Sequence, residues 1–266
     1  MTRRLVLVVA AGALALFLAL PVATLVGRAF ESGSLAATIG SRAVREALLL
    51  SLTTTAVSLG VIVLLGTPLA FLLARRRFTG SGLIETVVDL PLVLPPSVAG
   101  LALLLVFGRR GLLGESLDGA GLAIPFTAVA VVFAQVFVAA PFYVRAARAG
   151  IAGVPRDLED AARADGASEA GVFRHVMVPL ALPALGAGLV MSWARSLGEF
   201  GATILFAGNF AGRTQTLPLV VYAELGSADL EAAIAAATVL VLAAVGVLVA
   251  VRLARRGRAV DLASAG

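Results

Sequence analysis

The sequence of 266 residues lacks cysteine and lysine, has a single histidine and carries charge on only 14% of its residues. Without cysteine the chain can form neither disulfides nor thiolate metal sites, and His175 alone cannot build a histidine cluster, so we expect no bound metal. A P-loop needs a lysine to reach nucleotide phosphates, which excludes that kind of ATP site. If ATP drives the function, another subunit must hydrolyse it, and the chain itself is predicted not to be an enzyme.

Apolar residues are abundant: they make up 60% of the chain, and the mean hydropathy is +1.01. This composition is too apolar for a soluble domain and predicts an all-α integral membrane protein in contact with the lipid bilayer. The basic residues give a sequence pI of about 11.1. Because the arginines flank apolar segments and do not form one patch, membrane topology explains them better than nucleic-acid binding does.

About six segments are long and apolar enough to cross a bilayer, whose ~30 Å core needs roughly 20 helical residues. Arg3 and Arg4 make the first segment resemble a signal peptide, but its apolar run is long and no convincing small-residue cleavage site follows. We therefore predict one transmembrane domain over residues 1–266, with a retained extra span at about 5–27 and a core at about 44–252. The predicted spans are Leu5–Gly27, Ala47–Ala74, Leu90–Gly108, Ala120–Val144, Val176–Ala194 and Ala232–Val251.

Arginines are distributed unevenly between the two sides of this topology. The side that holds both termini and the loop 145–175 has fourteen arginines, whereas the opposite side has six. Short cytoplasmic loops of membrane proteins are enriched in basic residues. The distribution therefore predicts a multi-pass protein of the cell (inner) membrane with both termini and this loop in the cytoplasm.

A polar island over Leu158–Pro183 interrupts the apolar sequence. It predicts two short helices broken at Gly166, because Pro155 and the acidic residues after it suit a first helical turn and Ser168 can cap a second helix. Two such helices between membrane spans form a compact shape suited to docking on another protein. The alternative is an amphipathic loop that lies on the lipid surface.

The run Leu90–Gly100 contains the consecutive prolines Pro95 and Pro96. It is interpreted either as a broken helix beside a pathway or as a helix that begins late, after Pro96. A helix from Ser97 to Arg109 would reach only ~18 Å, which is too short to span the bilayer alone. We therefore favour a break whose irregular backbone is buried in protein.

The segment Trp193–Thr203 places Arg195 and Glu199 at membrane depth, four residues apart and thus on one helical face. They either belong to a pathway or form an ion pair that only holds the helix in place. Neighbouring glycines would allow a break that exposes N–H groups to anions, and since a fixed carboxylate repels anions, Glu199 is assigned to gating or structure. The candidate pathway and gate residues are Arg195, Ser196, Gly198, Glu199, Phe200, Gly201, Pro95 and Pro96.

The polar island resembles the Glu-Ala-Ala loop of ABC-importer permeases, in which three residues separate Glu-Ala-Ala from Gly and nine more precede Ile-x-Leu-Pro. Here the acid in register is Asp160, with Glu159 one place early, and valine occupies both aliphatic positions before Pro179. The resemblance implies that the loop, at about 151–178, forms coupling helices that fit a groove on an ATPase subunit. The residues assigned to this role are Glu159, Asp160, Ala161, Ala162, Gly166, Ala167 and Pro179.

Three further segments look like the permease subunit of molybdate/tungstate ABC importers: LPLVLPPSVAGLALLLVFGRRGLLG, RSLGEFGATILFAGN and GRTQTLPLVVYAEL. The signature at 198–201 is shared with sulfate permeases, whereas the run 212–218 is more specific to the molybdate side. The resemblance implies a type I importer permease fold and a homodimer. It also implies two ABC ATPase subunits that bind ATP and Mg²⁺, and a periplasmic or lipid-anchored oxyanion-binding protein.

Three alternatives stay open at this point. Sulfate or thiosulfate import differs from molybdate import mainly in the binding protein. An ion-coupled secondary transporter would need more ionisable groups in its spans than Arg195 and Glu199, and usually an inverted repeat, which is not visible. A structural anchor for a soluble partner would explain the polar island but not the broken spans.

Overall fold

The computed structural model describes residues 2–76 and 78–264, with side chains for 4–76 and 78–251. These residues contain helices and no strand. In chain order the helices are α1 (Thr2–Glu31), α2 (Ser34–Gly40), α3 (Arg42–Arg75), α4 (Ser81–Val93), α5 (Pro96–Phe107), α6 (Gly114–Gly119), α7 (Ala128–Ala152), α8 (Arg156–Ala164), α9 (Glu169–Val172), the π-helical segment Phe173–Met177, α10 (Val178–Leu197), α11 (Gly201–Phe206), α12 (Leu217–Gly226) and α13 (Leu230–Ser264).

Five helical stretches in the described part of the chain are long and apolar enough to cross a membrane. They correspond to the predicted first, second, fourth, fifth and sixth spans, and they are Arg4–Glu31, Arg42–Arg75, Ala128–Ala152, Glu169–Leu197 and Leu230–Val251. The prediction of an all-helical membrane protein is confirmed. The third predicted span, Leu90–Gly108, is not one helix.

The predicted span Leu90–Gly108 consists of the end of α4 and all of α5. Leu94 and Pro95 both have extended backbone, with ψ near 131° and 137°, because a residue before proline avoids the helical region. The break is therefore confirmed, and the alternative of a single helix that begins after Pro96 is wrong, since a helix also precedes the prolines. The place of the break beside a pathway stays a prediction. The expected burial of the break is wrong within this chain, where Pro95 and Pro96 are exposed.

Two further span boundaries differ from the sequence prediction. The fourth span begins at Ala128 and not at Ala120, because the Thr127 hydroxyl caps α7 by accepting a hydrogen bond from the Ala130 N–H, at 3.4 Å. The fifth span begins earlier than Val176, since the π-helical segment joins α9 to α10 without a break. π-Helical insertions of this kind occur mostly as single turns within longer helices.

The chain forms two compact units, and the first consists of residues 1–49 and 215–266. Its buried core comes from the start of α3, from α12 and from α13. Residues 4–24 of α1 are exposed, as expected for a lipid-facing helix, whereas Ala29 near its end is buried. The buried residues of this core are Val44, Ala47, Leu217, Val220, Ala236 and Val239.

The second unit, residues 50–214, contains every candidate site residue. Small residues let its helices approach closely: a Cβ on Gly188 of α10 would lie 2.8 Å from the Ala146 Cβ of α7. Helices α5 and α11 meet at Gly100, where an added Cβ would lie 2.7 Å from the Ala202 carbonyl oxygen. Because that oxygen belongs to the backbone, it cannot move aside as a flexible side chain can. Gly100 is therefore required for the contact between the two short helices.

This contact predicts that Gly100→Ala destabilises the second unit by about 1–3 kcal/mol, the usual range for overpacking a filled interior. Gly60→Ala is the matched control, since Gly60 is exposed on α3 and an added Cβ there meets no atom within 4 Å. Thermal unfolding of the two detergent-purified variants measures the difference. Equal midpoints for Gly100→Ala and the unaltered chain would contradict the packing.

Candidate coupling loop and gate

The polar island folds as two short helices with a turn between them. Helix α8 ends at Ala164, Gly166 has a left-handed φ of 87°, and α9 begins at Glu169. The Ser168 hydroxyl caps α9 by accepting a hydrogen bond from the Gly171 N–H at 3.2 Å. The predicted helix–turn–helix geometry is therefore confirmed, with one shift: Pro155 precedes α8 as its capping residue and does not lie in its first turn.

A buried ion pair fastens α8 to the end of α3. Arg75 pairs with Glu159, and the side chains of the two residues are only 10% and 6% exposed. Arg75 Nη2 also donates a hydrogen bond of 3.0 Å to the carbonyl oxygen of Val154, between α7 and α8. The Arg75 guanidinium thus connects α3, α8 and the segment between α7 and α8. Glu159 is assigned from the sequence to the coupling role together with the other loop residues. Its side chain faces inward and pairs with Arg75 of α3.

Arg163 joins the two loop helices across the turn. Its Nε lies 2.7 Å from Glu169 Oε1 on α9, and its Nη1 lies 2.8 Å from Asp160 Oδ1 on α8. The hydrogen bond that Arg163 donates to the Glu169 carboxylate raises the pKa of the Arg163 guanidinium. Since these side chains are exposed, each pair contributes little on its own. Together with the left-handed Gly166 they keep α8 and α9 in one arrangement.

The outer surface of the loop is exposed and partly apolar. Leu158 is 46% exposed, and the side chain of Asp160 is 71% exposed. Ala161 and Ala167 are also exposed, whereas Ala162 packs against the buried core of the second unit. Helix α8 thus buries the carboxylate of Glu159 within the protein and exposes Leu158 beside Asp160. Such a surface suits contact with another protein.

Helix α10 is attached to α3 next to the loop. Phe173, in the π-helical segment, packs edge-on against Phe71 of α3, with ring centroids 5.5 Å apart. His175 lies in the same segment, is exposed, and its Nδ1 is 3.1 Å from the carbonyl oxygen of Gly171, in keeping with a structural role. Pro179 lies beyond this segment, exposed in the first turn of α10 and outside the helix–turn–helix.

The gate candidates surround a break between α10 and α11. Helix α10 ends at Leu197 and α11 begins at Gly201, and the predicted Arg195–Glu199 ion pair is present with a separation of 2.7 Å. The Glu199 side chain is fully buried, and its Oε1 accepts a hydrogen bond of 2.8 Å from the Ala202 N–H. This amide is therefore bonded to the protein and is not available to an anion. The carboxylate caps α11 and closes the break.

The break after α10 meets the break before α5. An added Cβ on Gly201 would lie 2.6 Å from the Pro96 Cβ, so the two predicted segments touch at these residues. Ser196 is buried, Phe200 is half-buried, and Gly198 and Pro95 are exposed. The structure thus brings Pro96 together with Gly201, and Glu199 with Arg195 and Ala202. The role of these residues in a pathway stays a prediction.

Sequence reasoning missed two ion pairs between α4 and α7. Arg148 Nη2 lies 2.8 Å from Glu85 Oε1, and Arg145 Nε lies 3.7 Å from Asp89 Oδ1. The four side chains line a cavity of about 470 Å³. The two acids are four residues apart and the two arginines are three apart, so the acids share one face of α4 and the arginines share one face of α7. This spacing was the signal in the sequence that could have predicted the ion pairs. In the part of the chain whose side chains are described, no group of three or more His, Asp or Glu side chains is arranged to hold a metal ion.

The chain matches a family of transport proteins over most of its length. The match covers residues 66–258, and the family is described as the inner membrane component of binding-protein-dependent transport systems. The chain belongs to this family. It is therefore a multi-pass inner-membrane permease, in agreement with its apolar helices.

Curated relatives of the permease carry names from molybdenum transport. The molybdenum transport system permease protein ModB of Mycobacterium tuberculosis is 44% identical over 78% of this chain and 78% of its own length. A probable molybdenum ABC transporter permease protein of Haloferax volcanii is 40% identical over 91% of this chain and 86% of its own length. The probable transport system permease protein NifC of Clostridium pasteurianum is 39% identical over 79% of this chain and 74% of its own length.

Solved ABC transporters share the fold of the permease at low sequence identity. A chain of a bacterial alginate ABC transporter, in complex with a periplasmic protein that holds an alginate pentasaccharide, superposes with a TM-score of 0.69 and 20% identity, covering 94% of this chain and 91% of that one. A chain of the inward-facing MetNI methionine ABC transporter gives a TM-score of 0.57 and 21% identity, and the match covers 82% of this chain and 94% of that one. The predicted type I importer permease fold is confirmed.

The geometry of the loop predicts different outcomes for its two neighbouring acids. Glu159→Gln leaves Arg75 buried without its partner, which typically costs ~3–5 kcal/mol, so the loop should open more often. Asp160→Asn removes only an exposed pair with Arg163 and should cost less than ~1 kcal/mol. Trypsin can cleave the loop after Arg156, Arg163 and Arg174. We expect cleavage of the detergent-purified permease to be faster in Glu159→Gln only, and equal rates in both variants would refute the assignment.

Proposed function

We propose that the chain is the transmembrane subunit of an ABC importer and forms the gated pathway for molybdate or tungstate. The observation that carries this proposal is the exposed loop surface at 156–169, which a buried ion pair attaches to a membrane helix. The chain also lacks the lysine that a P-loop of its own would need. The substrate follows from the names of relatives that are 44% and 40% identical over most of both chains. Sulfate or thiosulfate is the second candidate, because of the shared signature at 198–201.

The proposed assembly contains partners that supply what this chain lacks. Two ABC ATPase subunits bind ATP and Mg²⁺, since the chain has no lysine for a P-loop and is proposed to bind no cofactor. A periplasmic or lipid-anchored binding protein selects the oxyanion. Two copies of the permease form a homodimer with the pathway between them. Both termini and the coupling loop face the cytoplasm, as the arginine distribution favours.

The loop transmits motion from the ATPase to the membrane helices. Leu158, Asp160 and Ala161 offer an apolar and acidic surface to the ATPase, while Arg75 and Glu159 hold the same helix against α3. A force on α8 is therefore passed to α3 directly, and to α10 through the contact between Phe71 and Phe173. ATP binding draws the two loops together and shifts the pathway from inward-facing to outward-facing, by stabilising one of two states.

The buried break beside Glu199 is the proposed gate. The carboxylate is fully enclosed, paired with Arg195 and bonded to the start of α11, so an oxyanion in the pathway does not meet an unpaired negative charge. The Pro96–Gly201 contact joins the two short helices that would move when the pathway opens. Glu199 thus acts on the shape of the gate and not on the choice of substrate.

The proposed function is tested with the full complex in proteoliposomes. The permease, its ATPase and the binding protein encoded beside them are reconstituted with ATP inside, and uptake of molybdate, tungstate and sulfate is measured. We expect ATP-dependent uptake of molybdate or tungstate. Uptake of sulfate alone would overturn the substrate, and uptake that persists without the ATPase would favour an ion-coupled transporter and overturn the mechanism.

Substitution of Gly166 should uncouple ATP hydrolysis from transport. The left-handed φ of 87° strains a β-branched residue by ~1–3 kcal/mol, so Gly166→Val distorts the turn that orients α8 and α9. Gly166→Asn is the matched control, because asparagine tolerates this conformation. We expect ATP hydrolysis with at least tenfold less molybdate uptake in Gly166→Val, and near-normal uptake in Gly166→Asn. Full transport by Gly166→Val would show that the turn is not needed for coupling.

A further inference from the structure

A glutamine side chain is buried among the apolar helices of the second unit. Gln135 of α7 is only 2% exposed, in a helix whose other buried residues are nearly all apolar. Burying an amide is unfavourable unless its donors and acceptor are hydrogen-bonded. The surrounding residues therefore have to provide partners, and the identity of those partners shows what the glutamine holds.

The Gln135 amide is bonded to two other helices. Its Oε1 accepts a hydrogen bond of 2.8 Å from the Ser58 hydroxyl on α3. Its Nε2 donates to the Thr55 hydroxyl on α3 at 3.3 Å and to the Ser196 carbonyl oxygen on α10 at 3.2 Å. Thr55, Ser58 and Ser196 are themselves completely buried. Gln135 is thus the centre of a small polar network inside an apolar core.

The bond to Ser196 falls at a special place in α10. The last four carbonyls of a helix have no partner in the next helical turn. Ser196 lies in that last turn, directly before the break, and its carbonyl oxygen also accepts a hydrogen bond of 3.2 Å from the Glu199 N–H. One carbonyl therefore receives both the Gln135 amide and the backbone of the residue that caps α11. The position of Glu199 depends on how this carbonyl is held.

We propose that Gln135 is a positioning residue of the gate: its amide fixes the end of α10 and so places the Glu199 carboxylate at the start of α11. The idea that this break is a gate rests on the proposed function, whereas the positioning itself does not. Loss of the amide removes one of the two donors to the Ser196 carbonyl oxygen, the amide partner of the Thr55 hydroxyl and one of the two acceptors of the Ser58 hydroxyl. The 198–203 segment then exchanges among several arrangements.

The same pair of helices offers a bond for comparison. The Ser192 hydroxyl on α10 donates a hydrogen bond of 2.8 Å to the Ala139 carbonyl oxygen on α7, and Ser192 is also completely buried. This bond lies one turn before Ser196 and reaches neither Glu199 nor α11. If Gln135 served only to hold α7 against α10, removal of either bond would have the same kind of effect.

The test compares three variants of the complete complex of permease and ATPase by hydrogen–deuterium exchange. Gln135→Met keeps an unbranched side chain of similar length without the amide, Ser58→Ala removes only the partner of Oε1, and Ser192→Ala is the control. We expect amide exchange in 198–203 to rise about three- to tenfold in Gln135→Met, as for the loss of one hydrogen bond, and less in Ser58→Ala. Exchange in this segment should not change in Ser192→Ala.

The outcomes separate the inference from the proposed function. Unchanged exchange in 198–203 for Gln135→Met, or an equal rise in Ser192→Ala, would overturn the positioning role. Should Gln135→Met fail to assemble, Ser58→Ala decides the question against the same control. In proteoliposomes, Gln135→Met should also lower the molybdate taken up per ATP hydrolysed while Ser192→Ala does not. If the unaltered complex takes up neither molybdate nor tungstate, the proposed function fails, and the exchange data still test the positioning role of Gln135.

Discussion

The ion pair between Arg75 and Glu159 is the interaction on which the rest of the structure depends. Both side chains are nearly enclosed, so neither charge is stable there without the other. Because Arg75 ends α3 and Glu159 lies on α8, their pairing makes the exposed loop a rigid extension of a membrane helix. A flexible loop could bind an ATPase without moving the pathway. The proposed mechanism requires the rigid one.

The lack of hydrogen-bond partners in the bilayer limits how the membrane helices can be broken. A bilayer offers no hydrogen bonds to free backbone groups, so each break must be closed by protein. Glu199 closes the break after α10 by bonding to the Ala202 N–H, and the Gln135 amide bonds to the Ser196 carbonyl oxygen beside it. The second break, before α5, requires only extended backbone at Leu94 and Pro95 and packs against Gly201. The Glu199 carboxylate and the Gln135 amide thus have a structural task at the break after α10.

Local features of this fold could be predicted from the sequence, and distant contacts could not. The turn at Gly166, the Ser168 cap, the broken span at Pro95 and the Arg195–Glu199 pair all follow from residues within four positions of each other. The inward orientation of Glu159 and the network of Gln135 depend on partners about eighty residues away, at Arg75 and Thr55. Nothing within the loop distinguishes Glu159 from Asp160, since only tertiary packing decides which acid is buried.

The most direct test of the account is the side of the membrane on which the loop lies. The chain has no native cysteine, so single cysteines can be introduced at two exposed positions, Asp160→Cys in the loop and Leu112→Cys between α5 and α6. A membrane-impermeant maleimide is applied to intact spheroplasts and to inverted vesicles. The account predicts that the Asp160→Cys variant is labelled only in inverted vesicles and the Leu112→Cys variant only in spheroplasts. Labelling of Asp160→Cys from the outside would contradict it, because the loop would then have no access to an ATPase.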